Sequence, residues 1–581
     1  MYALHAKEPA MRSNVLAMII LATAVTAAGC GGSNPPPSPA AAKTPAETFA
    51  EIDGSAVLEH TRRLADDSFE GRAPGSRGED FTVAYIADEF RKAGLQPGNT
   101  DGHYIQKVPL VGITPNQDAT LAFRRASKES RLRFKDDFVA WSKHVSETAE
   151  LQDSEIVFVG YGVQAPEFSW DDYKGSDLKG KTLVMLVGDP PVPDPADPGK
   201  LDSKVFGGPA MTYYGRWTYK YEIGAKMGAA GVLIVHETEP AGYPFSVVQN
   251  KVTEQFDLVA GDRNMSRVAI EGWISLDQAR RLFTLAGNNY DDMKKQSVSR
   301  SFRPVPLGVT ASITLANKLR MIESCNVVGK LEGSDQDLKS QYVIYTSHWD
   351  HLGIEPDPKG AKIYHGAQDN ATGIGGLIEL ARAFGRVAPP PKRTMLFLAV
   401  TAEEQGLLGS QYYAENPIYP LARTLAVINM DVLNVYGRTR DITIVGLGNS
   451  DLDDYAQKIV AEQGRVIRPD PSPEKGSYYR SDHFPFAKMG VPALASSSGI
   501  EFVGKPEDYG RKIREEYTSH IYHQPSDVVQ PDWDMSGTVL DLQFYGLMGY
   551  RAAQADKYPE WKTGTEFRAV REAQLKAAGI R

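Results

Sequence analysis

The 581-residue sequence lacks the features that mark several large classes of protein. Its only two cysteines are Cys30 and Cys325, so the fold must rely on packing or metal rather than on a set of disulfide bonds. It has no long run of lysine or arginine and a net charge of -9, which argues against nucleic acid as a partner, because phosphate binding needs a basic surface. No internal repeat is visible along the chain.

The composition is that of a soluble globular chain with several structural units. Hydrophobic residues make up 42% and charged residues 24% of the sequence, which provides enough apolar material for sizeable cores and excludes wholesale disorder. Because a single compact core seldom extends over a chain of this length, we expect roughly two to four units.

The N-terminus predicts an export signal, residues 1–30. Arg12 precedes the apolar run VLAMIILATAVTAA, which is too short for a stable membrane span and leads through small residues to Cys30. This segment resembles a bacterial lipoprotein signal, in which the cysteine becomes acylated, although Ala27 stands where that pattern usually has leucine. The resemblance implies an exported protein anchored to a membrane by lipid, and simple secretion is the alternative.

A flexible tether follows the predicted signal. Residues 31–45, GGSNPPPSPAAAKTP, cannot bury a core, so we expect a linker that holds the folded part away from a bilayer. By resemblance to lipoprotein sorting, Gly31 after the cysteine is compatible with the outer membrane of a cell that has two membranes. The predicted location is therefore the cell envelope, at the outer membrane or in the periplasm of a Gram-negative cell.

The pattern of predicted helices and strands changes twice along the rest of the chain. This predicts one fold that is interrupted by a second module. Residues 46–145 contain two helical patterns, and residues 146–320 contain short β-rich runs with Pro-rich breaks and few periodic helices. Over residues 321–556, apolar strands alternate with amphipathic helices, which predicts an α/β fold with a mixed, largely parallel sheet flanked by helices. Residues 557–581 predict a helical or loose tail.

Acidic and histidine side chains stand where apolar strands of the α/β part end. His348 and Asp350 follow YVIYTS, Glu403 and Glu404 follow MLFLAVTA, and Asp431 follows LAVINM. Because ligands of open α/β sheets bind beyond the carboxyl ends of the strands, we expect these side chains to converge on one crevice. Several carboxylates in one crevice need a counter-charge, and a mixture of Asp, Glu and His suits Zn²⁺ or a similar divalent ion.

The adjacent pair Glu403 and Glu404 stands where a helix is predicted to begin. Consecutive side chains of a helix project about 100° apart, so the two carboxylates can hardly chelate one ion together. One of them can bind metal while the other stays free to accept a proton, as general-base hydrolysis requires. Taken alone, the pair is more simply explained as negative charge that complements the dipole of a solvated helix N-terminus.

Five motifs relate the C-terminal part of the chain to a known family. SHWDHLG, GAQDNATG, TAEEQGLLGS, NMD and YHQPSD together resemble the zinc aminopeptidase family known as M28, over residues 322–556. The segment GRAPGSRGEDFTVAYIADEFRKAGLQP is similar to the family's N-terminal segment. The β-rich module resembles a protease-associated (PA) domain inserted into the catalytic domain, so the similarities cover most of the mature chain.

The resemblance implies a metal centre with two Zn²⁺ ions per chain, bridged by the carboxylate of Asp369, which is also predicted to open a helix. His348 and Asp431 complete the set of protein ligands expected for the first ion. Glu404 and His523 complete the set expected for the second ion. His523 is preferred over its neighbours because YHQPSD keeps the family's spacing; the other candidates are His351, His365, His483 and His520.

The resemblance also implies roles around that centre. Glu403 is expected to be the general base, and the Tyr522 hydroxyl to help stabilise the tetrahedral oxyanion. Asp350 is expected to orient the imidazole of His348. His483 is a candidate for the wall of the substrate pocket, with a plain structural histidine as the alternative.

The family carries a non-proline cis peptide bond after its bridging aspartate. We therefore expect a cis bond between Asp369 and Asn370.

Together with the predicted export signal, the resemblance implies an exported dinuclear zinc exopeptidase, and the preference for the amino ends of peptides comes from the family and not from a recognisable specificity pocket. A carboxypeptidase of the same fold is one alternative, and a glutaminyl cyclase, which shares the architecture but uses one zinc, is another. A third hypothesis is a binding or receptor module on an inactive peptidase scaffold, against which the retention of Glu403 and of the metal-binding positions counts. The sequence leaves open the preferred terminal residue, the physiological metal and the oligomeric state.

Overall fold

The computed structural model describes residues 43–250, 253–358 and 360–580. The predicted signal and residues 31–42 of the predicted tether lie outside the described residues, and so does the predicted acylation site at Cys30. Within the described ranges, none of the helices combines the length and the apolar character that a membrane span requires.

The described residues form fifteen α-helices and twenty-one β-strands. The helices are α1 Pro45–Ala50, α2 Gly54–Leu64, α3 Arg77–Lys92, α4 Trp217–Lys226, α5 Thr238–Ala241, α6 Phe245–Asn250, α7 Leu276–Ala286, α8 Tyr290–Gln296, α9 Thr372–Phe384, α10 Leu408–Glu415, α11 Leu452–Glu462, α12 His483–Lys488, α13 Tyr509–Glu516, α14 Ser536–Gln554 and α15 Arg568–Ala577. The strands are β1 Gln96–Pro97, β2 Ile105–Pro115, β3 Thr120–Arg125, β4 Lys128–Arg133, β5 Phe138–Trp141, β6 Thr148–Phe158, β7 Gln164–Ala165, β8 Trp170–Asp171, β9 Thr182–Leu186, β10 Gly231–His236, β11 Gln255–Leu258, β12 Ile270–Ser275, β13 Val305–Leu331, β14 Tyr342–His348, β15 Gly353–Glu355, β16 Lys362–Tyr364, β17 Thr394–Val400, β18 Thr424–Asn429, β19 Asp441–Val445, β20 Val466–Pro469 and β21 Ala493–Ser498.

The first sheet runs through the α/β part of the chain in the strand order β11, β2, β13, β17, β14, β18, β21, β19, β20. Its central strands β17, β14, β18 and β21 pair in parallel. The flanking strands β13 and β19 pair with this group in antiparallel fashion. The structure therefore confirms the predicted mixed sheet with a parallel centre.

Helices cover both faces of the first sheet because its central strands are apolar on both sides. On one face, Val343 and Tyr345 of β14 share a core with residues of α2, α9 and α14. On the other face, Ile344 shares a core with Tyr413 of α10 and Phe486 of α12. Neighbouring residues of β14 thus point to opposite layers, as the two-residue period of a strand requires.

The second sheet lies in the region of the predicted module, in the order β4, β3, β13, β6, β9, β10, β12, β5. Four of its strands, β6, β9, β10 and β12, pair in parallel. Helix α4 connects β9 to β10, and α7 buries Leu282 and Phe283 in the core of this sheet. The prediction of a β-dominated module with few helices was therefore incomplete, because parallel neighbours need crossover connections.

One strand belongs to both sheets. β13 is 27 residues long; its first part, residues 305–316, pairs with β6 and β3, and residues 317–331 pair with β2 and β17. The second sheet also includes β3, β4 and β5, which precede the predicted module boundary at residue 146. The observed sheet therefore extends beyond the module that the sequence predicts, and the division into domains stays a prediction.

Local signals in the sequence set two of the helices that precede the first sheet, α2 and α3. The Asp53 carboxylate accepts the N–H of Ser55 at the start of α2, at 2.8 Å. The Ser76 hydroxyl accepts the N–H of Glu79 at the start of α3, at 3.4 Å. Such side-chain oxygens satisfy backbone donors that have no partner in the first turn of a helix. Both predicted helical patterns are confirmed.

Candidate active site

The ends of three parallel strands bring the predicted site residues together. His348 is the last residue of β14, Glu403 follows the end of β17 at Val400, and Asp431 follows the end of β18 at Asn429. Because these strands run side by side in the same direction, their carboxyl ends meet at one edge of the sheet. The predicted convergence is confirmed.

The first group of possible metal ligands consists of His348, Asp369 and Asp431. The Nε2 atom of His348 lies 3.2 Å from Oδ1 of Asp369 and 3.3 Å from Oδ1 of Asp431. His348 is buried, and Asp431 keeps 25% of its side chain exposed, so the group lies at the boundary between the core and the solvent.

The second group uses the other oxygen of Asp369. Oδ2 of Asp369 lies 3.3 Å from Nε2 of His523, and the same nitrogen lies 2.8 Å from Oε2 of Glu404. His351, which the sequence argument set aside, contacts Oε1 of Glu404 through Nδ1 at 2.7 Å. Asp369 therefore presents one oxygen to each group. In the second group the ligand atoms of His351, Asp369 and Glu404 lie close enough to one another to hold a metal ion, and His523 adjoins the same two carboxylates.

Geometry and charge at the two groups fit divalent cations. Nε2 of His523 is shielded from solvent and has no hydrogen-bond partner among the described residues, although two carboxylate oxygens lie close to it. Three imidazoles face five carboxylates, so the charge is negative even if every histidine is protonated; the acids are Asp350, Asp369, Glu403, Glu404 and Asp431. Unpaired negative charge in a buried site needs cations, and this mixture of imidazole and carboxylate suits Zn²⁺.

The surroundings change the proton affinity of two residues strongly. Burial raises the pKa of Glu403 well above its ordinary value, and the neighbouring carboxylates of Asp431 and Glu404 raise it further. Burial by itself would lower the pKa of His348, but Glu403 and Asp431 raise that pKa well above the ordinary value. Glu403 is thus a carboxylate with an unusual affinity for a proton at the edge of both groups.

The segment that carries Glu403 and Glu404 is a turn and not the start of a helix. Helix α10 begins at Leu408, so the predicted helix start at Glu403 was wrong, and the helix dipole does not explain the pair. The carboxylate of Asp350 holds the turn instead: it accepts the N–H of Glu403 at 3.1 Å and the N–H of Glu404 at 3.3 Å. The two side chains are separated by the turn that Asp350 fixes.

Asp350 was expected to orient the His348 imidazole through its carboxylate. In the structure the main-chain oxygen of Asp350 lies nearer to the imidazole than the carboxylate does. Its Oδ1 lies 3.7 Å from Nδ1 of His348, which is too long for a hydrogen bond. The main-chain oxygen of Asp350 lies nearer, at 3.2 Å from the same nitrogen. The residue therefore neighbours the imidazole through its main chain and the Glu403 turn through its carboxylate.

Three residues of the site have the left-handed backbone conformation that non-glycine residues seldom adopt. The φ angle is 53° at Ala402, which precedes Glu403, and 56° at Val432, which follows Asp431. It is 57° at His523 itself. Such conformations cost about 1–3 kcal/mol each and persist where the surrounding structure imposes them, which is common at active sites. The peptide bond between Asp369 and Asn370 is cis, as expected.

The remaining predicted residues differ in how close they come to the two groups. Tyr522 is 42% exposed and stacks on the His523 ring, with 3.8 Å between ring centroids. His483 is buried against Tyr478 at 4.6 Å, and its ring nitrogens contact neither group. Burial lowers the pKa of His483 to about 3. The other histidines pair elsewhere, His365 with Asp67 and His520 with Glu516.

Two side chains near the site were missed in the sequence. The Asp527 carboxylate accepts the N–H groups of Gln368 and Asp369, at 2.9 and 3.0 Å. The Ser481 hydroxyl donates to Oδ2 of Asp431 at 2.7 Å. Asp527 belongs to the motif YHQPSD, and Ser481 stands two positions before His483, but a contact to a distant ligand leaves no local pattern.

The part of the chain that carries this site matches the model of a known protein family. The model of peptidase family M28 matches residues 326–546 of the chain. These residues form an M28 peptidase domain. The matched residues begin inside β13 and end inside α14, and they contain both groups of possible metal ligands.

Curated relatives of the M28 domain include proteins named as aminopeptidases and one named as a probable carboxypeptidase. The chain is 32% identical to Aminopeptidase NAALADL1 of Mus musculus over 132 residues, 22% of this chain and 16% of the relative. It is 28% identical to a probable glutamate carboxypeptidase of Arthroderma benhamiae over 264 residues, 43% of this chain and 33% of the relative. It is 26% identical to Aminopeptidase YwaD of Bacillus subtilis over 212 residues, 36% of this chain and 40% of the relative. The chain thus spans less than half the length of each of these three proteins.

Among solved structures, the aminopeptidase from Aneurinibacillus sp. strain AM-1 aligns with 87% of this chain and 96% of its own. The identity is 19% and the TM-score is 0.46.

Proposed function

We propose that the protein is a metallo-aminopeptidase that hydrolyses peptides with two Zn²⁺ ions. The observation that carries the proposal is the position of Asp369, whose two oxygens face two separate groups of histidine and carboxylate ligands. His348 and Asp431 would hold the first ion with Asp369. Glu404 and His523 would hold the second. The buried Nε2 of His523, which lacks a hydrogen bond in the described structure, supports this assignment.

The chain's own residues would supply the proton transfers and the positioning. When bound, two divalent ions polarise a peptide carbonyl and favour deprotonation of the attacking water. Glu403 would accept the proton of that water and donate it to the leaving amine, a role that its buried position beside Asp431 and Glu404 supports. Tyr522, stacked on His523, would donate its hydroxyl to the developing oxyanion. Asp350 would keep Glu403 in place by holding the N–H groups of the turn.

The amino-terminal direction is supported by two of the relatives, which are named aminopeptidases. A relative named as a probable glutamate carboxypeptidase keeps the carboxypeptidase alternative open. A screen of fluorogenic aminoacyl substrates on the zinc-loaded protein, with N-blocked peptides as the control, distinguishes the two. We expect hydrolysis of free aminoacyl substrates and none of the blocked ones. Release of residues from the carboxyl end of blocked peptides would support the alternative instead.

Metal content tests the two-ion part of the proposal. We expect two zinc equivalents per chain by elemental analysis and loss of hydrolysis in the presence of a chelator. One zinc per chain together with formation of pyroglutamate from an N-terminal glutamine peptide would identify a glutaminyl cyclase. A protein that binds zinc but hydrolyses no peptide would support the receptor hypothesis.

We also propose that the second sheet belongs to an inserted PA domain that covers one side of the cleft. Tyr213 of this region packs on Phe484 at 4.8 Å and on Tyr479 at 6.0 Å. These two residues flank Ser481, which contacts the predicted ligand Asp431. A contact of this kind favours a role in limiting the size of the substrate. Comparison of turnover for dipeptides and for long peptides tests it, and equal rates would argue against it.

The proposed location is the cell envelope, with a lipid on Cys30. The Cys30→Ala variant, expressed in full length, is expected to move from the membrane fraction to the soluble fraction. A distribution like that of the unaltered protein would favour simple secretion.

A further inference from the structure

The segment GRAPGS contains an arginine that no step of the proposed reaction uses. Arg72 is 1% exposed, and its guanidinium donates hydrogen bonds only to main-chain carbonyls. Nε donates to Trp349 at 2.9 Å, Nη1 to Leu64 at 2.7 Å and to His365 at 2.6 Å, and Nη2 to Gly366 at 2.8 Å. A buried arginine with four bonds to the main chain has its side chain fixed in one place.

Three of these four carbonyls, those of Trp349, His365 and Gly366, belong to the two segments that carry predicted ligands of both ions. Trp349 stands between His348 and Asp350, and Gly366 leads directly into residues 367–371, which contain Asp369. In return, the main-chain oxygen of Arg72 accepts the N–H of His351 at 3.2 Å. One side chain thus connects the end of β14 to the segment of the bridging aspartate.

The charge of Arg72 also faces the acidic cluster without pairing to any of its members. Among the described residues, Arg72 forms no ion pair within 4.0 Å. Burial lowers its pKa to about 10, and the carboxylates of Asp527, Asp350 and Asp369 oppose that decrease. The guanidinium therefore keeps its positive charge at neutral pH and offsets part of the repulsion among the carboxylates.

The backbone around Arg72 is constrained as well. Glu70, Gly71 and Arg72 have φ angles of 51°, 64° and 53°, three consecutive residues in the left-handed region. A side chain on Gly71 would come within 2.4 Å of the Tyr364 oxygen and within 2.6 Å of the Gly353 oxygen. Close packing and three unfavourable φ angles together indicate that the surrounding structure imposes the backbone conformation of residues 70–72.

From this geometry we infer that Arg72 is a positioning residue for the metal centre, which sets the distance between His348 and Asp369. The inference rests on the proposed two-ion function. It assigns a role to the N-terminal GRAPGS segment, which lies more than 250 positions before the family motif match begins.

The test compares Arg72→Met with Arg393→Met in the full-length protein. Arg393 is a matched control because it is 2% exposed and donates to the Ala553 and Ala555 carbonyls, at 3.1 and 2.6 Å. It stands before the first residue of β17, at the opposite end of that strand from Glu403. Both variants lose a buried guanidinium, but only one loses it beside the predicted ligands.

We expect Arg72→Met to bind Zn²⁺ about 10 to 100 times more weakly in a chelator competition, the range found when supporting contacts of metal ligands are removed. The visible absorption spectrum of the Co²⁺-substituted protein should change with it. Arg393→Met should show a comparable fall in melting temperature with the affinity and spectrum of the unaltered protein. If Arg72→Met does not fold, Arg72→Lys keeps the charge but not the four bonds, and the same change in affinity and spectrum is expected.

Unchanged zinc affinity and an unchanged Co²⁺ spectrum in the Arg72 variant that folds would overturn the inference and leave the proposed function standing. An unaltered protein that binds no metal at all would overturn the proposed function itself, and the inference with it.

Discussion

The protein buries charge in two places, and the two clusters are built differently. In the region of the second sheet, Lys220 donates to the Tyr161 and Gly188 carbonyls at 2.6 and 3.1 Å, and the nearby acids have donors of their own. Asp172 accepts from Val163 and Trp170, and Asp189 accepts twice from Thr212. At the M28 site, five carboxylates meet three imidazoles, and Nε2 atoms of His351 and His523 have no hydrogen-bond partner in the described structure.

The two clusters differ in whether the protein itself supplies the charges that balance the buried carboxylates. The Lys220 cluster brings its own cation and satisfies its polar atoms, so it needs nothing from outside the fold. The M28 site has more carboxylates than imidazoles, a composition that suits bound cations. This contrast predicts different results for substitutions in the two clusters.

Glu403→Gln should give the largest effect, because it removes the proposed proton acceptor and keeps the shape of the side chain. We expect kcat to fall by about 10³-fold or more, which corresponds to about 4 kcal/mol of activation free energy. Zinc content should stay at the level of the unaltered protein.

Glu404→Gln is the matched control for that variant, since it removes a proposed ligand instead of a base. It should lose zinc and activity together. A Glu403→Gln protein that turns over substrate at the normal rate, or one that loses its zinc, would contradict the role of Glu403.

Lys220→Met should give the next largest effect, on stability and not on metal binding. Removal of one member of a buried charge cluster leaves the acids uncompensated, and we expect a loss of about 3 kcal/mol in the free energy of unfolding at pH 7. Burial lowers the pKa of Lys220 to about 8, so the ammonium is still largely charged at that pH. Denaturant titration measures the loss. Zinc affinity should stay unchanged, and a weaker affinity would show that the two clusters are coupled.

The pH dependence of the same variant gives an independent check. Burial already raises the pKa of Asp172 to about 6 and of Asp189 to about 7, above their ordinary value of 3.8. The folded state therefore binds more protons than the unfolded state between about pH 4 and 7, so stability falls as the pH rises through that range. Without Lys220, this fall should be steeper than in the unaltered protein.

Asp350→Asn should weaken the site without emptying it. The amide keeps one acceptor, but its NH₂ group would face one of the two N–H donors of the Glu403 turn. We expect zinc affinity or kcat to fall by about 10 to 100-fold. Asp335→Asn is the control, because Asp335 accepts the N–H groups of Asp337 and Leu338 in an exposed turn. An equal effect of the two variants would contradict a specific role for Asp350.

His483→Leu should give the smallest effect. His483 is buried and neutral, and neither ring nitrogen has a good hydrogen bond within the described structure, so an apolar residue of similar size replaces it at little cost. We expect a change of less than about 1 kcal/mol in the free energy of unfolding. Relative kcat/KM values across aminoacyl substrates should stay the same. A reordered substrate preference would show that His483 lines the pocket after all.

The sequence predicted the parts of the site that have a local pattern. His348, Glu403 and Asp431 were found because apolar strands end beside them, and the parallel sheet followed from the alternation of strands and helices. The start of α10 was misplaced because nothing local shows that the Asp350 carboxylate takes the N–H groups that a helix would otherwise use.

Contacts between distant segments explain most of what the sequence did not reveal. Arg72 lies 277 positions before the carbonyl of Trp349 that it binds, and Asp527 lies 158 positions after the N–H of Asp369. No periodicity or motif spacing encodes such pairs in a single sequence. The helices of the second region are a different case: α7 has a clear amphipathic pattern, LDQARRLFTLA, which could have been found from the sequence and was overlooked.

The shared strand β13 has a mechanical consequence. A hinge needs a short stretch of main chain whose torsions can change freely, but β13 is bound by ladder hydrogen bonds on both sides of the crossing point at residues 316 and 317. A rotation of one sheet relative to the other at this point would break hydrogen bonds between β13 and the strands β6 and β2. We therefore expect the two sheets to stay fixed relative to each other at residues 316 and 317 instead of opening about a hinge there.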